Sequence, residues 1–558
     1  MFFNWVVLFG FLSSLLLTAS SAGLAHGAPA PVRTKLGSIH GRADPAGYTA
    51  FYDIPYAQAP VGKLRLQAPQ PRTTPIGKFN FGDPSSNRCY GIGLMTNSLV
   101  TGSEDCLYLD IIQPTVIPDK LMSVYVFIHG GDFNDGSKSD NDGRNLVISS
   151  IRNAIPIIYV SINYRLAFLG YPGGAEAGNH NAYNLGLLDQ RMALVWVKDN
   201  IRSFGGDPNS ITVGGQGTGA DSVAYQMMAG GGVNRSLFQK AFLESGAATG
   251  LTPIPKTDYA PRQQQYNSIV QKSGCSDAPD TFVCLQGVSI DTLSQAFFTT
   301  YNESHSIPHH VYAPIVEGNW FQDYPSILMK QGKFIAVPTV IGHTSSELSL
   351  RIPTFANFVD DKSILGFTGA FLSYTPLSTL QALLNLFSPS DYKDIGPPGS
   401  GYQWSRVADV DNYLQSFCPV FTAANQIADK GVPVWKYRWD ALHSGSTIPA
   451  FYGVSQGADL PFLYSPQPLQ GNSVDVNLGY AFQSYLISFV NHGNPNFDKI
   501  QGGPPVWEWT QYSANNAQQV VFSEREVGSN QPMIFMEADP TDHAKCDYVE
   551  AHNVDFLR

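Results

Sequence analysis

The sequence predicts an α/β fold, with a large, mostly parallel central sheet flanked by helices. Three observations carry this. Short runs such as residues 123–128 (SVYVFI) and 157–162 (IIYVSI) are apolar on both faces, as buried parallel strands are. Stretches with helical spacing alternate with them, the pattern of a doubly wound sheet. At residues 215–219 (GQGTG) a short apolar run passes through a tight glycine turn into an Ala-rich segment, so a strand, a turn and a helix follow one another.

Composition bounds the function. The chain has 558 residues, 43% hydrophobic and 12% aromatic, enough for a sizeable core. The formal net charge of -11 argues against nucleic acid and anionic membrane surfaces, which need basic patches. Residues 1–22 read as a secretory signal: positions 6–17 are mostly apolar and small residues follow at Ser20, Ser21 and Ala22. Cleavage nearer Ala28 or Ala30 and an uncleaved anchor are the alternatives. No other segment approaches the roughly 18 to 20 apolar residues of a membrane span.

Six cysteines suit an oxidising compartment, and none has the C-x-x-C spacing of a zinc or redox site; spacing alone leaves their pairing open. Sequons at Asn234 and Asn302 agree with a secretory route. Pro and Gly are spread evenly and no linker or repeat interrupts the chain, so residues 30–558 read as a single domain.

The elements follow in order. Residues 123–128 end in His129-Gly130-Gly131, and 157–162 in Asn163-Tyr164-Arg165. Leu188, Met192, Val195 and Trp196 recur at helical spacing, with Asp189, Arg191, Lys198 and Asp199 on other faces. Residues 211–213 lead into the glycine turn, and 220–229 form the helix after it. Later strands are expected at 241–243, 338–341 and 434–439. Ligands of such sheets bind at the carboxyl ends of the strands, where the loops after Ile128, Val213 and Ile341 would meet.

The glycine turn has the frame of a nucleophile elbow, G-x-S-x-G, with Gly217 in the place of the serine. Further motifs surround it. Residues 54–62 (IPYAQAPVG), 103–110 (SEDCLYLD), 163–166 (NYRL), 184–190 (NLGLLDQ) and 204–208 (FGGDP) occur in that order. On these the chain resembles the type-B carboxylesterase/lipase family, the α/β-hydrolases that include cholinesterases and fungal lipases. The likeness runs from about Thr34 to the last cysteine and implies the α/β-hydrolase fold. It also implies the disulfides Cys89–Cys106, Cys275–Cys284 and Cys418–Cys546.

Carried over position by position, the resemblance implies a site without its catalyst. Gly217 stands at the nucleophile position and has no side chain to acylate. Gln456 stands at the histidine position, and an amide does not titrate near neutral pH. Glu347 matches the acid of the triad. Gly131, Asp132 and Thr218 match the three oxyanion donors, with Asp132 replacing a glycine. Asp132 and Glu347 are therefore the candidate catalytic residues: Asp132 as a new acid or base facing the pocket, or as a side chain turned back on its own loop; Glu347 as a partner of it or as a hydrogen-bonded relict. If both face one cavity, at least one pKa should rise.

Ser455 satisfies G-x-S-x-G literally in residues 453–457, but no strand leads in and no helix follows, which argues against it. His343 and His443 read as structural. No metal-ligand spacing, phosphate loop or dinucleotide fingerprint is present, so no metal and no cofactor are expected.

The expected function is a secreted esterase-like protein that is not a serine hydrolase. Its pocket would take a small organic molecule through a non-hydrolytic step: proton transfer, dehydration, isomerisation or cyclisation. Fungal secondary-metabolite biosynthesis is the setting by analogy. The alternatives are an inactive extracellular ligand-binding or adhesion protein, and ester hydrolysis by an atypical route such as Asp132 activating water.

Overall fold

The apolar runs of the sequence become the centre of one large sheet. The computed structural model describes residues 31–558 apart from 76, 80–86, 95, 233–236, 251–252, 305–310, 393–395, 465–472, 498–507 and 526–531. The signal segment 1–22 and the sequon at Asn234 lie outside the described residues; Asn302 lies in the last turn of the helix Ile290–Glu303.

The sheet has eleven strands. In chain order they are β1 (Arg42–Ala43), β2 (Tyr48–Pro55), β3 (Tyr108–Pro114), β4 (Met122–Ile128), β5 (Ile157–Ile162) and β6 (Gly206–Gln216). Then come β7 (Lys240–Glu244), β8 (Thr339–Thr344), β9 (Val434–Asp440), β10 (Gln518–Arg525) and β11 (Pro532–Ala538). Their order across the sheet is β11-β10-β9-β8-β7-β6-β4-β5-β3-β2-β1. From β10 through β5 all pairings are parallel, and antiparallel strands finish both edges. The chain leaves β4 to one side as β5 and returns to the other as β6. This is the topological switch point at which such sheets bind ligands.

The central strands are buried on both faces, as their unbroken hydrophobicity requires. Along β4, Val124, Val126 and Ile128 join the core on one side, and Tyr125 and Phe127 the core on the other. A third apolar cluster lies apart from the sheet, among helices that follow β8. The disulfides are Cys89–Cys106, Cys275–Cys284 and Cys418–Cys546, with Cα separations of 5.1, 5.8 and 4.9 Å. The third spans 128 residues and anchors the satellite cluster to the C-terminal helix.

One expectation about helix faces needs correction. Helix α1 (Leu185–Asn200) contains the stripe Leu188, Met192 and Val195, yet these are only half-buried. Asp189, expected on a polar face, is fully buried. It accepts from Arg165 Nε at 2.8 Å, from Arg165 Nη2 at 2.7 Å and from the Arg165 backbone at 3.0 Å. The helix is enclosed on more than one side, so a paired carboxylate sits in its core face.

No helix among the described residues is long and apolar enough to cross a membrane. Three disulfides place the folding of the chain in an oxidising compartment.

Candidate functional site

Four loops meet at the carboxyl ends of β4, β6, β8 and β9. At the end of β6 the chain turns at Gly217, whose φ is +60°, and enters helix α2 (Thr218–Gly232). A left-handed φ costs an L-residue energy and glycine almost none. The flanking glycines answer a different demand. A Cβ on Gly219 would lie 2.1 Å from the Ile128 carbonyl oxygen, and one on Gly215 would lie 2.5 Å from the Gly219 carbonyl carbon. The elbow can therefore press against the end of β4 only with glycine at both places. Thr218 opens α2, so its N–H belongs to the unsatisfied first turn of the helix.

Backbone bonds lock the loops together. Gly217 N–H donates to the Glu244 carbonyl at 2.8 Å, and Ser245 N–H to the Gly342 carbonyl at 2.9 Å. Ser346 N–H donates to Val454 at 2.9 Å, and Gln456 N–H to the Glu347 carbonyl at 3.0 Å. Gln456 thus stands beside Glu347, as the family order implies. Its side-chain amide bonds elsewhere, donating through Nε2 to the Ser245 carbonyl at 3.3 Å.

Glu347 is 1% exposed, and its Oε1 accepts from the Thr344 N–H at 2.6 Å. Burial pushes its carboxyl up to about 8, and the neighbouring carboxylate that adds to the shift is Asp459; hydrogen bonds from Ser245 and Thr344 act the other way. On sequence, burial and like-charge repulsion from Asp132 are expected to raise a carboxyl here; in the structure burial is the larger cause and the acid that adds to it is Asp459.

Asp132 is buried, but neither anticipated placement describes it. Its two oxygens face the guanidinium of Arg351, with Nη2 3.2 Å from Oδ1 and 3.3 Å from Oδ2. Its loop carries three consecutive positive φ values, +107° at Gly131, +50° at Asp132 and +60° at Phe133. Such a turn suits the glycines of the family pattern, and here two residues with side chains accept it. Where the sequence suggests an acid or base facing the pocket, the side-chain oxygens of Asp132 are turned to Arg351, in an ion pair with little exposure.

Sequence reasoning missed Arg351 and also a layer of acids beneath the loops. Glu244 and Asp459 are fully buried. Glu244 Oε1 accepts from the Tyr464 hydroxyl at 2.9 Å, and Asp459 Oδ2 from the Tyr437 hydroxyl at 3.1 Å. Burial raises both, Asp459 to about 6 and Glu244 well above the usual carboxylate range, with the charge of Asp459 adding to the latter. A strand-end Glu244-Ser245 pair and the Asp459 that follows the Gln456 loop were visible as letters. Nothing in local pattern marks them as one cluster.

The remaining candidates take structural places. Ser455 is 1% exposed on a loop between Gly453 and Gly457; the sequence expects no helix after it, yet a short one, Leu460–Tyr464, begins past the loop, and Ser455 does not adjoin it as Gly217 adjoins α2. His343 is buried, with Nδ1 2.8 Å from the Thr344 carbonyl; burial, with the Lys436 charge, lowers it to about 3, so it is neutral. His443 accepts from the Gly445 N–H through Nδ1 at 3.1 Å, within a turn. His129 is buried and stacked on Tyr164 at 4.4 Å, and burial lowers its pKa. Among the described residues no group of three or more His, Cys, Asp or Glu side chains could hold a metal ion.

Comparison with known proteins places this geometry. Residues 28–533 match the model of the carboxylesterase family. Lipase 1 of Geotrichum candidum is 30% identical over 523 residues, covering 86% of this chain and 88% of the relative. Secreted lipase 1 of Botryotinia fuckeliana is 32% identical and covers 84% of each. The secreted triacylglycerol lipase LIP1 of Gibberella zeae is 31% identical, over 84% of this chain and 82% of the relative. The crystal structure of EstA from Aspergillus niger matches with a TM-score of 0.82 at 24% identity, covering 96% of this chain and 100% of that one; this shows the α/β-hydrolase fold.

Proposed function

Because the chain belongs to the carboxylesterase family and yet carries Gly217 at the elbow and Gln456 on the loop facing it, we propose that it is not a serine hydrolase. In this reading its inherited pocket binds a small organic molecule and promotes a non-hydrolytic step on it: proton transfer, dehydration, isomerisation or cyclisation.

The observation that carries the reading is the fate of the Glu347–Gln456 pair. The amide of Gln456 is tied to the Ser245 carbonyl, so no base stands at the elbow. Burial pushes the Glu347 carboxyl up to about 8, which suits a protonated acid better than the orienting anion of a triad. Losing both serine and histidine removes about six orders of magnitude of triad catalysis. The remaining means are backbone N–H donors, a protonated carboxyl and the Arg351 guanidinium, which can position and polarise a ligand but cannot form an acyl-enzyme.

Three relatives are named lipases, two of them secreted. Secretion of this chain is supported by those names, by the disulfides and by the apolar N-terminal segment. Lipase activity is not proposed here, because the named chemistry needs a nucleophile that Gly217 cannot supply. Assay of the purified protein on short p-nitrophenyl esters tests this. Background rates are expected; turnover that falls with Asp132→Asn but survives Ser455→Ala would overturn it.

A second reading, ligand capture without chemistry, is favoured by the Asp132–Arg351 pair, which removes Asp132 as a free base. Mass spectrometry of a bound ligand after prolonged incubation separates the two: a changed ligand supports catalysis, an unchanged one capture.

A further inference from the structure

Away from the elbow, three buried side chains stand as reacting partners. Lys138 lies on the loop between β4 and the helix Arg144–Arg152. Its Nζ is 3.0 Å from Asp53 Oδ1 and 3.0 Å from Asp110 Oδ2. The side chains of Lys138, Asp53 and Asp110 are 1%, 3% and 4% exposed, so water hardly reaches the group. Asp110 comes from β3 and Asp53 from β2, its antiparallel neighbour. The register of these two strands shifts between Phe51 and Ile54, and within that irregularity Asp53 takes a φ of +56°. There the Asp53 N–H donates to Asp110 Oδ1 at 2.8 Å.

Two carboxylates and one ammonium are hard to keep charged in so dry a place. Burial disfavours every charged form, and one cation does not offset the removal of three charges from water. Burial pushes the Asp110 carboxyl up to about 7, with the Asp53 charge adding to the shift; Lys138 and the Asp53 N–H act the other way. This suits a carboxylic acid, the form that an amine attacks. The two oxygens of Asp110 are served differently. Oδ1 receives an N–H, as the carbonyl oxygen of an acyl transfer does, and Oδ2 faces the amine. Asp53 is a second acceptor beside the same Nζ. Amine, base, carboxyl and oxyanion donor are therefore held together by the fold. Reactants fixed in this way reach effective concentrations of about 10⁵ M or more.

We propose that Lys138 and Asp110 condense to an intramolecular isopeptide bond, with Asp53 as the base. Asp53 takes one proton from the Lys138 ammonium, and the freed Nζ lone pair attacks Asp110 Cγ. The Asp53 N–H stabilises the oxyanion that forms on Oδ1. The Nζ–Cγ bond forms and the Cγ–Oδ2 bond breaks. Oδ2 leaves as water, with its own proton and a second one from Nζ, and the last Nζ proton stays on the amide. Nothing is oxidised or reduced. A neutral amide and a neutral Asp53 acid replace a buried ion pair and a buried acid, so the reaction removes charge from the interior. The bond closes a ring across 28 residues and fastens to β3 the chain that continues the Asp132 loop. It acts on the scaffold and stands apart from the reading of the pocket.

The test is a tryptic map of the purified protein, denatured, reduced and deglycosylated. The expected product joins residues 89–120 to residues 121–144, with Lys138 uncut and one water lost. Two amino termini, at Cys89 and Leu121, distinguish it from the uncut linear segment, and fragmentation places the link at Asp110. The linked product should account for most of the Lys138-containing material. Asp53→Asn keeps the side-chain size and the backbone N–H but cannot take the proton. It should lower the linked fraction at least tenfold, since a positioned base contributes about 10²–10⁴.

Recovery of Lys138 and Asp110 on separate peptides of the parent protein would overturn the proposal, and so would a link from Lys138 to Asp53. An unchanged linked fraction in Asp53→Asn would overturn it as well, by removing its base. Should that variant fail to fold, the map of the parent decides alone.

Discussion

The guanidinium of Arg351 lies across both carboxylate oxygens of Asp132, 3.2 Å from Oδ1 and 3.3 Å from Oδ2. The Asp132 side chain is 6% exposed and that of Arg351 16%, so neither charge is answered by water. Removing one partner of such a pair strands the other, at a cost of about 3–5 kcal/mol. Arg351→Met is therefore expected to destabilise the protein by about that amount in urea unfolding. Adding Asp132→Gly should recover part of it, because the carboxylate paired directly with Arg351 is then gone and glycine suits the φ of +50°, while Asp411, on which the Arg351 charge also acts, still lacks its cation. If the single and double variants are equally unstable, Arg351 matters for packing and not for its charge.

The same pair bears on restoring catalysis. Gly217→Ser with Gln456→His returns a nucleophile and a base to the lost positions. That double variant is expected to stay at background on p-nitrophenyl butyrate, because the Asp132 carboxylate remains in the oxyanion loop. A third change, Asp132→Gly, is expected to raise kcat by about 10²–10³, the size of one oxyanion interaction. A double variant as active as the triple would show that Asp132 does not disturb the oxyanion site.

Much of this architecture is legible in the sequence, for reasons that differ by element. Residues 123–128 and 157–162 announce β4 and β5 because parallel strands are apolar on both faces, and the glycine turn announces the elbow because close backbone approach leaves glycine no substitute. Arg351 is not legible, because its partner is 219 residues away and no period links them. Asp189 misleads for a related reason: amphipathic spacing presumes one buried face, and α1 is enclosed on more than one. The layer of Glu244, Glu347 and Asp459 is brought together by sheet topology alone, from the ends of β7 and β8 and the loop after Gln456.

That acid layer predicts a dependence of stability on pH. The Glu347 pKa is raised in the folded protein, from an ordinary 4.5 to about 8. The stability this contributes is fully present below the unfolded value and is lost as pH rises through the folded one, since the unfolded chain sheds its proton first. Between these limits one such group takes away about 1.4 kcal/mol per pH unit. Asp459, raised from 3.8 to about 6, acts with the same sign over the lower part of the window. Unfolding free energies at pH 5, 6.5 and 8 are expected to fall steadily, and Glu347→Gln should flatten the upper part of the curve. Equal slopes in the parent and the variant would remove Glu347 as the cause.

The two glycines at the turn separate what the elbow needs from what it has lost. At Gly217 the demand is conformational: with φ at +60°, alanine there is expected to cost about 1–2 kcal/mol, the ordinary price of a left-handed L-residue. At Gly219 the demand is steric. A Cβ would stand 2.1 Å from the Ile128 carbonyl oxygen, an atom of β4 that cannot swing aside as a side chain would. Gly219→Ala must push α2 away from the sheet, and overpacking of this kind reaches or exceeds the upper end of about 1–3 kcal/mol. Urea unfolding of the two variants side by side is expected to rank Gly219→Ala as clearly the more damaging. The opposite order would mean that α2 can shift off β4, and that the elbow is not held by the contact between Gly219 and the end of that strand.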